Sequence, residues 1–420
     1  MKKLLPIIAA SVMLVFFAAC SSSDDGPTEN VTFAVPVVKS LATIRSGVKV
    51  TAARQTASEG KIYVTQNNLF YIAKEEGVHI FNNTNPSSPQ NIAFLEIEGV
   101  HDIAVKGNYL YADNFIDLLV FDISNLSNIT LVKTIENVIG FNAAYPVDAQ
   151  YYDYEVGPGP DEIVIGYRTE MRAVPTGGIM AYDEATGALS NGAEALPGAP
   201  SVGTGGSYAR FQINQNALYT IDSWKLNVFN IVNPTTAFFD KSVYMEMWFG
   251  GGAFETLFRQ GDYLFAGATS GMFIIDATDE FNPAFISGFS HATACDPVVV
   301  NGTTAYITVR GGSSCGAIED QVNVLDISDI NNPTLLSTYL MNGPRGLGVK
   351  GNTVYICGDN GLNIFDASNP SGLSLENAYV DDVTDVIPLE SHLITVGPNK
   401  ITQYAYGENY TLNVLSVLNF

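Results

Sequence analysis

The chain has 420 residues and a formal net charge of −23, from 43 Asp and Glu against 20 Lys and Arg. A phosphate backbone is bound by neutralising it with clustered Lys and Arg; no basic block occurs here, so nucleic acid is excluded as a partner. Hydrophobic residues make up 46% and charged residues 15%, a strand-rich globular profile and not a disordered one.

Lys2 and Lys3, followed by the apolar run Leu4–Phe17, have the form of a signal peptide over residues 1–19. The run is too short to span a membrane comfortably. It ends in Phe17-Ala-Ala-Cys20, which resembles the lipobox of bacterial lipoproteins, with Phe17 where Leu is usual. The resemblance implies cleavage before Cys20 and acylation of Cys20, so that lipid alone holds the chain to a membrane. Residues 20–30 form a polar tether that includes Ser21-Ser-Ser-Asp-Asp25. Ser21 is unlike the inner-membrane retention signal of Gram-negative lipoproteins, and the Ser-Ser-Asp-Asp run resembles acidic export signals. The implied address is the outer membrane at the cell surface, with a periplasm-facing orientation as the alternative. Residues 31–58 carry apolar alternation (Val31-Thr-Phe-Ala-Val-Pro-Val37) and are expected to pack as an N-terminal extension on a repeat domain.

From residue 59 to 420 one phrase keeps returning. It reads Gly77-Val-His-Ile-Phe-Asn-Asn-Thr-Asn-Pro86, Leu119-Val-Phe-Asp-Ile-Ser-Asn125, Leu226-Asn-Val-Phe-Asn-Ile-Val-Asn-Pro234 and Gly271-Met-Phe-Ile-Ile-Asp-Ala-Thr-Asp279. It reads again as Val322-Asn-Val-Leu-Asp-Ile-Ser-Asp329 and Gly361-Leu-Asn-Ile-Phe-Asp-Ala-Ser-Asn-Pro370. A phrase repeated every ~40 to 50 residues marks a repeat architecture. In the second unit the pattern predicts strand A at Asp102–Lys106, a Gly107-Asn108 turn and strand B at Tyr109–Ala112. Strands C and D come next, at Leu118–Ile123 and Ile129–Thr134. Asp122, Asp276, Asp326 and Asp366 end strand C, where a short acceptor can cap the next turn. A sheet of four short strands with two apolar faces buries both by stacking radially around a channel. The expected fold is all-β, a β-propeller of four-stranded blades. Eight units fit, beginning near residues 60, 100, 147, 208, 254, 295, 344 and 383, with seven blades as the alternative. The third, at about 147–206, is irregular, with inserts at Gly157-Pro-Gly-Pro160 and Gly187–Gly206.

The repeat phrase, with Ala294-Cys-Asp-Pro-Val-Val-Val300 running on to Asn331-Asn-Pro333, resembles the LVIVD-repeat family of bacterial β-propellers. The Gly-His and Trp-Asp signatures of WD40 propellers are absent. The resemblance implies a propeller on a secreted or lipidated protein, usually without a known reaction.

Cys295 opens strand A of the sixth unit and Cys315 lies in the loop leaving its strand B, so a disulfide is expected between them in an oxidising compartment. Cys357 ends a buried strand and reads as a free core thiol. No Cys/His spacing suggests a metal, and no cofactor motif is present.

In such a ring the D–A and B–C loops share one rim, and the residues opening strand A surround the channel. Counting back ten positions from the strand-B aromatic gives His101, Glu255, Asp296 and Arg345. Lys61, Asp148, Arg210 and Asp385 fall within a position of the same column, and Asp102 flanks His101. This ring of polar residues either plugs the channel or holds a polar ligand at its mouth. Trp224 and Trp248, the two tryptophans of the chain, fall in loops of the same rim, Trp248 beside Glu255. Exposed aromatic faces beside charged groups suit capture of a sugar or peptide, although a lone Trp also serves as a packing plug.

Three functions are compatible with this pattern. The leading one is non-catalytic binding of a glycan, peptide or protein partner at the rim. A second is a glycan hydrolase or lyase using Glu255 and Asp296 as an acid/base pair. The third is a structural subunit of an outer-membrane assembly, contacting partners through the inserts at 155–206.

Overall fold

The computed structural model describes residues 28–55, 60–175, 204–222, 224–244, 253–290, 297–311, 319–398 and 400–420. Cys20, Trp248, Cys295, Asp296 and Cys315 lie outside these, and with them the expected lipid attachment and disulfide. The described chain is an all-β propeller.

Each regular repeat folds as four antiparallel strands because three short, continuous apolar runs are punctuated by tight turns. In the second unit these are Ile103–Lys106, Tyr109–Asn114, Asp117–Asp122 and Thr130–Ile135, within two residues of the predicted bounds. Strands B and C are buried on both faces by the neighbouring blades, whereas strand D is mostly exposed or half-buried. The A–B turns place Gly107, Gly261, Gly302 and Gly351 at φ between 55° and 60°, the left-handed region that favours glycine.

The recurring phrase has a physical explanation at each end. Its opening glycine starts strand C at Gly77, Gly271 and Gly361, at φ 151°, 144° and 107°. A Cβ there would overlap the carbonyl oxygen of Leu95, Phe289 or Tyr379 on strand D. Its closing Asp accepts the amide two residues on, at 2.8 Å in all four cases: Ser124 to Asp122, Thr278 to Asp276, Ser328 to Asp326 and Ser368 to Asp366. These bonds, with those from the same Ser and Thr hydroxyls, hold the four carboxyls below the usual range. Between strands C and D the register slips once in all seven blades, a bulge that increases the local twist.

Eight sheets form, one for each of the eight units, and seven of them stack radially as blades. The remaining sheet corresponds to the irregular third unit. There, Glu162–Pro175 pairs with the N-terminal strand Thr28–Ser40 along its whole length, and Tyr151–Tyr152 adds on the other side. Among the described residues, the segment 147–175 therefore does not supply a four-stranded blade. The second blade packs directly against the sheet that starts at Phe211, sharing one core and a bond from Lys106 Nζ to Asn216 Oδ1 of 2.9 Å. The ring thus closes with seven blades, the alternative count. Blades are numbered 1 to 7 below, beginning at Gly60, Ile103, Phe211, Phe254, Val298, Leu347 and Asp385.

No strand is exchanged to close the ring, since blades 1 and 7 each take their four blade strands from one contiguous stretch. Side chains make the seam instead. Tyr71 stacks on Phe420 at 4.2 Å, and the buried amides of Asn83 and Gln403 exchange hydrogen bonds of 3.0 and 2.8 Å.

The N-terminal extension clasps the ring in two places. Lys49–Ala52 pairs with the outer strand of blade 1 and covers that edge. The short helix Leu41–Gly47 sends Arg45 to Asp117 at 2.6 and 3.0 Å and to Glu136 at 2.8 Å, on the rim of blade 2.

Candidate functional site

The channel is crossed by the protein's own backbone. Thr204 and Gly205 pair with Val64 and Tyr63 on the inner strand of blade 1. Ser207 donates its amide (3.2 Å) and hydroxyl (3.1 Å) to Asp385 Oδ1 of blade 7, and its hydroxyl accepts the Leu347 amide of blade 6 at 2.9 Å. The carbonyl of Ala209 accepts the Leu257 amide of blade 4. The amides of Arg210 and Phe211 then donate to Asp102 Oδ2 of blade 2, at 2.6 and 3.2 Å. Seven consecutive residues thus tie five blades together before the chain enters blade 3.

This crossing gives the buried carboxylates at the strand heads their role: they accept backbone amides. Asp385 is fully buried, and burial pushes its carboxyl up to about 7 against the opposing pull of the Ser207 and Val386 amides. Asp102 is also buried, and burial raises it too. Lys61 is 7% exposed, and burial lowers its ammonium although Asp102 favours the charge. Lys61 Nζ and Asp385 Oδ2 have no hydrogen-bond partner among the described residues.

The polar column read from the sequence therefore divides. Asp385 and Glu255 are buried beneath the rim, and Asp385 anchors the crossing segment. Arg345 is spent on Asp359 at 3.2 Å and Asp382 at 3.4 Å. Asp148 is exposed on the segment that leaves blade 2, away from any strand head. Trp224 is 53% exposed in the B–C turn of blade 3. Trp248 and Asp296 fall outside the described residues.

His101 and Arg210, 109 positions apart, are brought together. They line a narrow cleft of about 10 Å³ between blades 2 and 3, room for roughly one water molecule. Its floor is Asp102 and Asp113; its walls are Phe115, Ile139, Gly140, Phe141, Phe211 and Ile221. Asp113 Oδ1 accepts the amides of His101 (2.8 Å) and Asp102 (2.9 Å), and Asp113 Oδ2 faces His101 Nδ1 at 3.3 Å. Burial works to raise Asp113, yet the bond and charge of His101 and these amides hold it below the usual range. Phe141 packs edge-on to Phe115 at 4.9 Å and lies 5.8 Å from the His101 ring. Gly140 donates its amide to Asp222 Oδ2 at 3.2 Å, so the Trp224 turn borders the same cleft.

Arg210 is fixed at its backbone, by Asp102 and by the Ile221 amide donating to its carbonyl at 3.0 Å. Its guanidinium has no ion pair or hydrogen bond among the described residues, in contrast to Arg345, Arg45 and Arg172. Sequence reasoning missed Asp113, Phe115 and Phe141. Phe141 comes from the stretch that breaks the repeat, and Asp113 sits at the end of an apolar strand, so neither belonged to the recurring column.

Among the described residues no group of three or more His, Cys, Asp or Glu could hold a metal ion. No described helix is long and apolar enough to cross a membrane. Cys357 is free and buried, and burial pushes its thiol well up.

Residues 99–136 and 345–381 match the family model of the LVIVD repeat. None of the curated proteins compared matches the sequence. Among solved structures the chain is similar to a protein from Lactobacillus plantarum, with a TM-score of 0.54 and 12% identity over 86% of this chain and 96% of that one. It is also similar to the periplasmic gluconolactonase of Pseudomonas aeruginosa, with a TM-score of 0.52 and 9% identity over 89% and 96%. At such identities the likeness concerns the fold alone. The two matched stretches are blade 2 and blade 6, each with the loop that leads into it; the chain is a β-propeller that carries LVIVD repeats at these two blades.

Proposed function

We propose that this protein is a lipid-anchored, non-catalytic recognition module of the outer membrane, exposed at the cell surface, whose propeller rim captures a glycan, peptide or protein partner. The observation that carries the reading is the Arg210 guanidinium. No described residue pairs with it, and Arg210 borders an aromatic-walled cleft whose carboxylates are occupied by backbone amides. A held backbone with an unspent side chain is a preorganised contact for something not in the chain. The same crowding argues against the acid/base alternative: Glu255 is buried beneath the rim, away from the cleft lining.

The test is a glycan and peptide array probed with the full chain and with Arg210→Ala. Binding that Arg210→Ala abolishes, with folding unchanged, supports the reading; binding that it leaves intact moves the site elsewhere on the ring.

A second reading has one specific observation in its favour. The three-stranded sheet beside the propeller exposes Met171 (70%), and the turn after Tyr151–Tyr152 exposes Tyr154 (63%). Apolar surface there suits an assembly contact. Capture of a partner lost in Tyr154→Ser/Met171→Ser, and indifferent to Arg210→Ala, would favour it.

A further inference from the structure

We infer that two copies of the chain join through the strand Glu162–Pro175, its open edge pairing antiparallel with the same edge of a second copy about a two-fold axis at Thr169. This deepens the second reading above and rests on the outlying sheet being a contact surface; it is independent of the rim.

The edge is long and accessible. Glu162–Pro175 has 14 residues, where strands usually run about 3–10. One side pairs with Thr28–Ser40, and no described strand pairs with the other. Such a row of backbone donors and acceptors is a template for another strand. The register shifts once, at Val37/Val38, so Gly166–Pro175 runs without a bulge. The strand leaves the ring at its Glu162 end. There Lys39, paired with Ile163, meets Glu98 at 2.6 Å, and the Leu41 amide donates to the Asp161 carbonyl at 2.9 Å. Thr169 lies seven residues further out, about 23 Å. Antiparallel pairing there sets the two rings at opposite ends of one joint sheet.

The side chains on this edge complement themselves. In a two-fold contact residue i meets j and j meets i. About Thr169, Arg168 stands opposite the partner's Glu170 and Glu170 opposite the partner's Arg168, two cross-strand pairs of opposite charge. These share the face of Val35 and Phe33. On the other face Thr169 meets the partner's Thr169, a pair whose hydroxyls bond across strands. Tyr167 there meets the partner's Met171, and Met171, 70% exposed in the single chain, gains an aromatic ring against its thioether.

Other registers lack this match. An axis at Glu170 sets Arg168 against the partner's Arg172 and Glu170 against itself. An axis at Met171 leaves Arg168 opposite the partner's Val174 and Tyr167 opposite Pro175, which has no N–H to give. The charge also balances locally. Two chains of net charge −23 repel each other overall. On this strand Glu170 takes Arg168 at 2.7 Å and Arg172 at 3.0 Å, and Arg172 takes Asp153 at 2.6 Å, two cations against two carboxylates. The side chain of Arg168 is still 60% exposed and can reach across to a neighbouring strand.

The experiment is sedimentation equilibrium of the full chain in density-matched detergent, with Arg168→Glu, with Glu170→Arg and with their equimolar mixture. The native chain should be dimeric at micromolar concentration. Each variant alone sets like charges opposite each other at both pairs and should weaken self-association ~10-fold or more. The mixture restores opposite charges at both pairs and should recover the dimer. Circular dichroism checks that both variants fold. Under mild oxidation Thr169→Cys should crosslink two copies in higher yield than Met171→Cys or the native chain. A monomeric native chain overturns the inference. If that monomer still captures a partner, lost in Tyr154→Ser/Met171→Ser, the sheet remains a contact surface for another protein; if it captures none, the second reading falls with the inference. A dimer that neither variant weakens lies on another surface and overturns it. A mixture that fails to recover, or crosslinking that favours Met171→Cys, overturns the axis at Thr169 and the inference with it.

Discussion

Replacing Gly206 by alanine should test whether the chain locks its own channel. The Cβ would fall inside the carboxylate of Asp385. That carboxylate cannot swing aside cheaply: it is fully buried, and Oδ1 holds the Ser207 amide at 3.2 Å, the Ser207 hydroxyl at 3.1 Å and the Val386 amide at 2.9 Å. Overpacking of a filled interior costs about 1–3 kcal/mol. Each hydrogen bond lost by displacing Asp385 adds about 1 kcal/mol. Gly206→Ala is therefore expected to destabilise by roughly 2–4 kcal/mol. Asp385→Ala should also destabilise, by roughly 1–3 kcal/mol, because buried amides lose their acceptor. It also removes the obstacle. In the double variant the cost of Gly206→Ala should fall by about 1 kcal/mol or more, a coupling measured from urea midpoints by far-UV circular dichroism at unchanged slope. Costs that simply add, or a silent Gly206→Ala, would refute the account of segment 204–210 as a strut seated against blade 7.

Three further outcomes concern buried polar groups. His79 is 1% exposed in blade 1, and burial pushes its imidazole down to about 4 from 6.5. Its folded value lies below the unfolded one, so stability is complete above pH 6.5 and falls by about 3 kcal/mol as the pH drops towards 4. The stability difference between the native chain and His79→Phe should vary by that amount over this window, and a flat difference would contradict it. Asp385 has the opposite sign, its folded value of about 7 lying above 3.8, so its contribution is complete below the lower value and lost as pH rises through the upper. Asp385→Asn should accordingly gain on the native chain between pH 5 and pH 8, and a constant difference would sink the assignment. At the seam, Asn83→Ala takes the Asn83 donor from the buried Gln403 Oε1, for an expected loss of about 1–3 kcal/mol. Hydrogen exchange should show the loss of protection concentrated in blades 1 and 7; a uniform loss would argue against a seam closed by that pair.

The repeat was legible because its constraints are local. Gly361 must open strand C where a Cβ would meet the Tyr379 carbonyl, and Asp366 must close it where an acceptor meets the Ser368 amide. Both act within one hairpin, so their residue types recur at fixed spacing, and strands, turns and propeller can be read by counting. His101 and Arg210 were legible for the same reason, as heads of repeating strands. The ring of seven blades was decided elsewhere. Residues 147–175 contain strand-forming runs, and only the competition between closing a blade and pairing with Thr28–Ser40 determines what they do. That competition is settled by a partner more than a hundred residues away. The channel crossing at 204–210 is hidden likewise, since Gly206, Ser207 and Asp385 interlock across 178 positions of sequence. Sequence by itself determined the blade, because a blade is held by contacts between neighbours in the chain. The tertiary structure decided how many blades close the ring, what fills its centre and which charge is left over for a ligand. Those depend on distant segments competing for the same buried hydrogen-bonding groups.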